Sequence, residues 1–208
     1  MINSWIIYSI GFLAQLLFSA RTFYQWFASE KKRQVIAPRF FWQISLFASI
    51  LLFTYGYLRN DFAIMLGQSL TYYIYIRNIQ LEKKWHKFPL LSRLFFIYFP
   101  IVTLLFYFLT EKIDLSTFIE NPSISNTLLI LGVMSQLLFI SRFFYQWIYS
   151  EKRKASSLPK GFWWISLTGA SLILIYGIFR RDPVLIAGHT FGIVVYLRNL
   201  KIMKNVIG

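Results

Sequence analysis

The stretch QLLFSARTFYQWFASEK, Gln15 to Lys31, returns at Gln136 to Lys152 as QLLFISRFFYQWIYSEK. Working outward from that pair, Gly11 to Asn78 aligns with Gly132 to Asn199 without a gap, and about 28 of roughly 68 positions are identical. PRFFWQISL meets PKGFWWISL, YGYLRND meets YGIFRRD, and YIRN meets YLRN. Shared Leu and Phe alone would follow from two apolar compositions, but matched Gln, Arg, Trp, Pro and Asp do not. The chain is therefore a duplication of one unit.

Composition fixes the solvent of that unit. The 208 residues are 57% hydrophobic, 20% aromatic and 14% charged, outside the soluble range. The 22 Lys and Arg against 8 acidic residues would suggest nucleic acid in a soluble protein. Here the basic residues stand at the ends of long apolar runs, as membrane topology demands, and no nucleic-acid partner is expected. The absence of cysteine excludes disulfides, thiol catalysis and cysteine-ligated metal. No metal-ligand or nucleotide-binding motif is visible, and no cofactor is expected.

A spanning helix needs about 20 mostly apolar residues. Seven runs qualify: Trp5 to Phe27, Phe40 to Leu58 and Phe62 to Ile79 in the first copy, Leu90 to Leu109 between the copies, and Thr127 to Tyr149, Phe162 to Phe179 and Val184 to Leu200 in the second. The first run is too long for a cleavable signal and is expected to stay as a helix. The expectation is an all-α membrane protein of seven transmembrane helices in a 3+1+3 arrangement. Its parts are a first three-helix repeat over 1–80, a linker with the fourth helix over 81–121, and a second repeat over 122–208.

Charge gives the orientation. Lys31, Lys32, Arg33 and Arg39 follow the first run, Lys83, Lys84, Lys87 and Arg93 precede the fourth, and Lys152, Arg153, Lys154 and Lys160 follow the fifth. These basic connections are expected in the cytoplasm, with the amino terminus outside and the carboxy terminus inside. Three helices reverse the chain's direction and the fourth restores it, so the repeats are expected to be parallel. At the turns between the second and third helices of each copy, Asp61 and Asp182 suit helix N-caps and Pro183 a first helical position. Arg59 and Arg180 suit the negative end of the preceding helix dipole.

Polar residues repeated at equal depth are the functional candidates, because polar groups in lipid need partners. On the first helix Gly11, Gln15, Ser19, Thr22, Trp26 and Ser29 form one stripe, with Arg21 and Gln25 to its side; Gly132, Gln136, Trp147 and Ser150 answer it, with Arg142 and Gln146. Trp42, Ser45, Ser49 and Gly56 are matched by Trp163, Ser166, Ala170 and Gly177, and Gln68, Thr71, Tyr75 and Asn78 by His189, Gly192, Tyr196 and Asn199. The substrate-binding candidates are Gln15, Arg21, Gln25, Trp26, Trp42, Gln68, Gln136, Arg142, Gln146, Trp147, Trp163 and His189, with no catalytic residue among them. Gln15, Gln136 and His189 suit either interhelical hydrogen bonds or a cavity. Arg21 and Arg142 suit either snorkelling to headgroups or the grip of an anionic headgroup. The four tryptophans suit either an interfacial belt or stacking on a sugar ring.

The pattern QLxFxxRxxYQWxxSEKxxxxxxPxxFW, then YGxxRxD, a Gly-Gln or Gly-His, and YxRN resembles the lipid-A-disaccharide synthase N-terminal domain family, in two tandem copies. In three-helix plan that domain is similar to PQ-loop and SWEET-type membrane proteins, although this chain has no Pro-Gln pair. The resemblance implies a bacterial inner-membrane protein associated with lipid A or a related glycolipid. In the enzyme that names the family, bond formation belongs to a separate soluble-type domain, and nothing like a nucleotide-sugar-binding α/β domain is present here. The leading expectation is a non-catalytic protein that binds, moves or hands over an amphipathic anionic substrate, such as a lipid A precursor or lipid-linked sugar. The alternatives are a SWEET-like small-solute transporter, a catalytic component of lipid-A-disaccharide synthesis, and a scaffold for a membrane-associated glycosyltransferase.

Overall fold

The computed structural model describes residues 4–38, 40–58, 62–109, 126–180 and 183–205. Within them the chain is all-α: α1 Ser4–Lys32, α2 Phe41–Leu58, α3 Phe62–Leu81, α4 Leu90–Leu109, α5 Asn126–Arg153, α6 Lys160–Arg180 and α7 Pro183–Asn205, with a 3-10 turn at Trp85–Lys87. Each apolar run becomes a helix because a helix satisfies its own backbone hydrogen bonds. Four segments, Trp5–Lys32, Phe41–Leu58, Leu90–Tyr107 and Lys160–Phe179, are long and apolar enough to cross a membrane. In α3, α5 and α7 the apolar content is diluted by polar residues, among them Arg77 and Asn78, Arg142 and Gln146, and Arg198 and Asn199.

The outer faces are apolar. On α4 Leu91, Val102, Leu105 and Leu109 are exposed, and on α1 Trp5, Phe12 and Phe27. Continuous apolar surface of this kind marks a partner or a membrane.

Helix ends are set locally. Arg33 takes φ 51° after α1; its N–H donates to Glu30 O at 3.1 Å and that of Gln34 to Ser29 O at 3.2 Å. Lys83 repeats the motif after α3, at φ 55°, with Lys83 N to Gln80 O at 2.8 Å and Lys84 N to Ile79 O at 3.1 Å. These are Schellman caps with a cation at the position usually given to glycine, where positive charge meets the negative helix end. Lys154, the repeat equivalent of Arg33, has φ 53°. Pro183 opens α7, as expected. Arg59, Asp61 and Asp182 lie outside the described residues; Arg180 closes α6, and its side chain is not among those described.

The described residues fall into two compact units, one within Met1–Arg21, Arg39–Glu120 and Lys154–Ser156, the other within Thr22–Pro38, Asn121–Arg153 and Ser157–Gly208. In the first, α2 packs along α3, and Phe53, Met65 and Tyr107 form a core flanked by Tyr57, Phe99 and Leu104. Gly11 admits the Tyr55 ring so closely that a Cβ there would stand 2.8 Å from it. In the second, α5 packs on α6 and α6 on α7. Gly132 admits Tyr176 at the same 2.8 Å, and Gly169 admits the backbone of Phe139. The duplicated glycines thus bring the first two helices of each copy together.

Candidate anion sites around two buried arginines

The buried face of α1 runs through Gly11, Ala14, Arg21, Gln25 and Ser29, and that of α5 through Gly132, Ser135, Arg142, Gln146 and Ser150. This corrects the stripe expected from sequence: Gln15, Ser19 and Gln136 are exposed, and Arg21 and Arg142 lie on the buried face. One residue along a helix is a rotation of about 100°, so a stripe continued through Gln15 instead of Ala14 turns away from the core. The expected stripes on the other helices hold. Trp42, Ser45, Ser49 and Gly56 are buried, as are Trp163, Ser166, Ala170 and Gly177; on α3 and α7, Thr71, Tyr75, Asn78, Gly192, Tyr196 and Asn199 are buried while Gln68 and His189 are partly so.

Neither arginine snorkels: Arg21 is 6% exposed and Arg142 8%. In the first unit Arg21 donates to Ser45 Oγ, and its guanidinium lies 4.9 Å from the ring centres of Phe18 and Phe41 and 5.6 Å from Tyr75. In the second, Arg142 Nη1 donates to Tyr196 Oη at 3.0 Å. Its guanidinium lies 3.5 Å from the Phe139 ring centre, 4.7 Å from Phe143, 5.7 Å from Phe162 and 5.8 Å from Tyr196. Among the described residues no carboxylate pairs with Arg142, and its Nε has no acceptor. Aromatic faces attract a cation but do not accept its in-plane N–H groups. A buried guanidinium held this way retains a demand for an anion.

The glutamines on the same face are engaged in structure. In the second unit Gln25 Nε2 donates to Ser29 Oγ at 2.9 Å, Ile36 O at 3.3 Å and Asn199 Oδ1 at 2.9 Å. Gln146 Nε2 likewise donates to Ser150 Oγ at 2.8 Å and Ser157 O at 3.0 Å. Each serine also accepts from the loop N–H of Ile36 or Ser157, both at 3.2 Å. Gln25 and Gln146 therefore clamp the loop that leaves their helix.

The tryptophans separate into two pairs. Trp26 and Trp147, near the ends of α1 and α5, donate at 3.0 Å to Glu30 and Glu151 one turn on. Trp42 and Trp163 are 0% and 2% exposed, inside their units rather than in a belt. Trp42 Nε1 donates to Ser156 Oγ at 2.6 Å, and that hydroxyl donates to Asn78 Oδ1 at 2.8 Å. Trp163 Nε1 has no acceptor among the described residues. Of the α3/α7 pair, His189 lies 5.4 Å from the Phe139 ring, and Gln68 Oε1 has no donor among the described residues.

Ser156, Asn78, Asn199 and Tyr196 complete these networks and are not among the expected substrate-binding residues. Ser156 departs from the repeat, standing where the first copy has Val35, and that mismatch was its only signal. Two open apolar grooves on the first unit, of 330 Å³ along Phe40, Gln43 and Phe47 and 520 Å³ along Ile50, Leu91 and Phe95, are lined by none of the expected site residues. Lys84 edges the first groove and bonds Glu82 at 2.5 Å. Burial raises the Glu82 carboxyl above its ordinary pKa, against the opposing pull of Lys84.

The molecule is thus a duplicated all-helical protein whose apolar helices are compatible with membrane association, with an aromatic-caged arginine in each unit. By sequence it belongs to the Lipid A Biosynthesis N-terminal domain family, whose model matches residues 10–80 and again 131–201. It is 30% identical over 208 residues to a lipid-A-disaccharide synthase of Chlamydia felis, covering 95% of this chain and 33% of that protein. To the enzyme of the same name from Chlamydia muridarum it is 30% identical over 211 residues, 97% of this chain and 34% of the relative. The chain therefore spans about a third of the length of the curated relatives it matches. No solved structure matches it.

Proposed function

We propose that this chain is an integral membrane protein of lipid A or related glycolipid biosynthesis that binds an amphipathic anionic lipid and moves it or hands it on. The observation that carries the reading is Arg142, a buried guanidinium ringed by aromatic side chains with no carboxylate partner among the described residues. A planar cation in an apolar cage suits a headgroup that is charged at one point and bulky elsewhere. The family supplies the substrate class: relatives named as lipid-A-disaccharide synthases carry this region within a longer protein.

The accompanying topology is seven spans in a 3+1+3 plan, two parallel repeats over 1–80 and 122–208 about a linker helix, with the amino terminus outside and the carboxy terminus in the cytoplasm. Its support is the basic character of alternate connections. Reporter fusions after Lys32, Lys84 and Lys154 test it, and a periplasmic signal from any of them would break the plan. For the function, Arg21→Ala with Arg142→Ala is expected to lower binding of a lipid A precursor in nanodiscs and to alter cellular lipid A. Unchanged binding and unchanged lipid A would end the arginine assignment.

A further inference from the structure

Asn78 and Asn199 hold the same repeat position; the Asn78 carbonyl oxygen accepts from the Ser156 hydroxyl in the first unit and that of Asn199 from the Gln25 amide in the second. The repeat places Val35 where Ser156 stands. The Val35 side chain has no acceptor to offer, and the Trp163 N–H, buried and without an acceptor among the described residues, is the counterpart of the N–H that Ser156 accepts from Trp42. A buried indole N–H usually finds a partner, so this one asks for an explanation.

Two further features of the second unit converge on the same spot. Trp163 and the Arg142 guanidinium flank one ring, Tyr196, at 6.0 Å and 5.8 Å, and Phe162 lies 5.0 Å from Trp163 and 5.7 Å from Arg142. The Arg142 Nε–H is the second donor there without an acceptor among the described residues. Beside the Tyr196 hydroxyl the second copy has Gly192 where the first has Thr71. A Cβ at Gly192 would come within 3.2 Å of that hydroxyl. Glycine inside a helix is unfavourable and needs a local reason, and the Tyr196 ring, which occupies the space a side chain would take, is one.

We propose that the second unit binds a phosphate group through the N–H groups of Arg142 Nε and Trp163 Nε1, a phosphate oxygen serving Trp163 as the Ser156 hydroxyl serves Trp42. The assignment rests on the anionic-lipid reading above and narrows it to one unit and one group. The first unit, whose indole is engaged by its own serine, is the structural copy.

The probes are phosphatidic acid, a phosphate-monoester lipid, and inorganic phosphate, each titrated onto the full chain in phosphatidylcholine nanodiscs and followed by thermal stability. Phosphatidic acid is expected to raise the melting temperature. Trp163→Phe should weaken that binding roughly tenfold, the scale of one hydrogen bond to a charged group. Trp42→Phe should leave the affinity unchanged while lowering the ligand-free melting temperature. Val35→Ser, which installs the hydroxyl that Ser156 supplies in the first unit, should raise the ligand-free melting temperature and lower affinity. Protection by phosphatidic acid alone puts the phosphate on a lipid; equal protection by inorganic phosphate supports the site with a free ion as its occupant. Wild-type affinity in both Trp163→Phe and Val35→Ser, with binding lost in Arg142→Gln, overturns the proposal and leaves the anionic reading standing. Wild-type affinity in Arg142→Gln as well removes both.

Discussion

Trp42 and Trp163 occupy one position of a duplicated unit, both buried, both T-stacked on the preceding phenylalanine and both tilted against a tyrosine of the third helix. They differ by a hydroxyl. Ser156 bridges Trp42 to Asn78, whereas Asn199 is held by Gln25, a residue of the α1 face. The difference at one loop position, Val35 against Ser156, thus accompanies an indole acceptor at Trp42 that Trp163 lacks among the described residues. Duplication preserved the frame, and the polar closure is where the copies parted.

The most severe way to break the comparison is to remove the closure of the second unit. Gln25 satisfies Ser29, Ile36 and Asn199 together. Gln25→Leu is expected to cost about 2–3 kcal/mol, because the Asn199 amide and a loop carbonyl lose their partner in the interior. Chemical denaturation in detergent reads it directly, and a loss within about 0.5 kcal/mol of wild type would mean that water replaces the amide freely. The next effect belongs to the first unit. Ser156→Ala strips an acceptor from Trp42 and a donor from Asn78 and should cost about 1–2 kcal/mol. Val35→Ala, at the equivalent position, should fall near zero, and equal losses at the two positions would dissolve the distinction between the copies.

A third, smaller effect tests what the copies share. Gly11→Ala and Gly132→Ala each set a Cβ 2.8 Å from a tyrosine ring, so both should cost about 1 kcal/mol after the gain in helix propensity. Matching losses sharpen the claim that the frame is common; a loss at one glycine alone would move the asymmetry into the helix contact itself.

Much of this frame was legible in the sequence because it rests on period and identity. The offset between copies, the helices and the buried stripes of α2 and α3 follow from apolar spacing that nothing else competes with. On α1 the buried face lies one residue from the expected stripe, because Gln15 and Gln136 are matched and polar, features that resemble a site, while the buried face takes the small Ala14 and Ser135 instead. The arginines were legible as candidates, but not their cages. A cation–π shell is built from phenylalanines on different helices, and in a chain with 22 of them the sequence marks none as special. Ser156 was least visible, since its role depends on a loop returning to a tryptophan more than a hundred positions earlier.

The smallest expected effect concerns the helix ends and comes out equal in both copies. Arg33 and Lys154 hold the left-handed conformation at φ 51° and 53°, which costs a side-chain-bearing residue about 1 kcal/mol. Glycine removes that strain but adds freedom to the unfolded chain and gives up the cation's attraction to the helix end. Arg33→Gly and Lys154→Gly should therefore each stabilise by only about 0.5 kcal/mol, a small rise in melting temperature. The two shifts should agree, because the left-handed conformation is a backbone property and does not involve the serine that distinguishes the copies. A shift at Lys154 much larger than at Arg33 would mean that the 154–156 loop is strained to carry Ser156 to Trp42, and that the hydroxyl bridge of the first unit is bought with backbone energy that the second unit never spends.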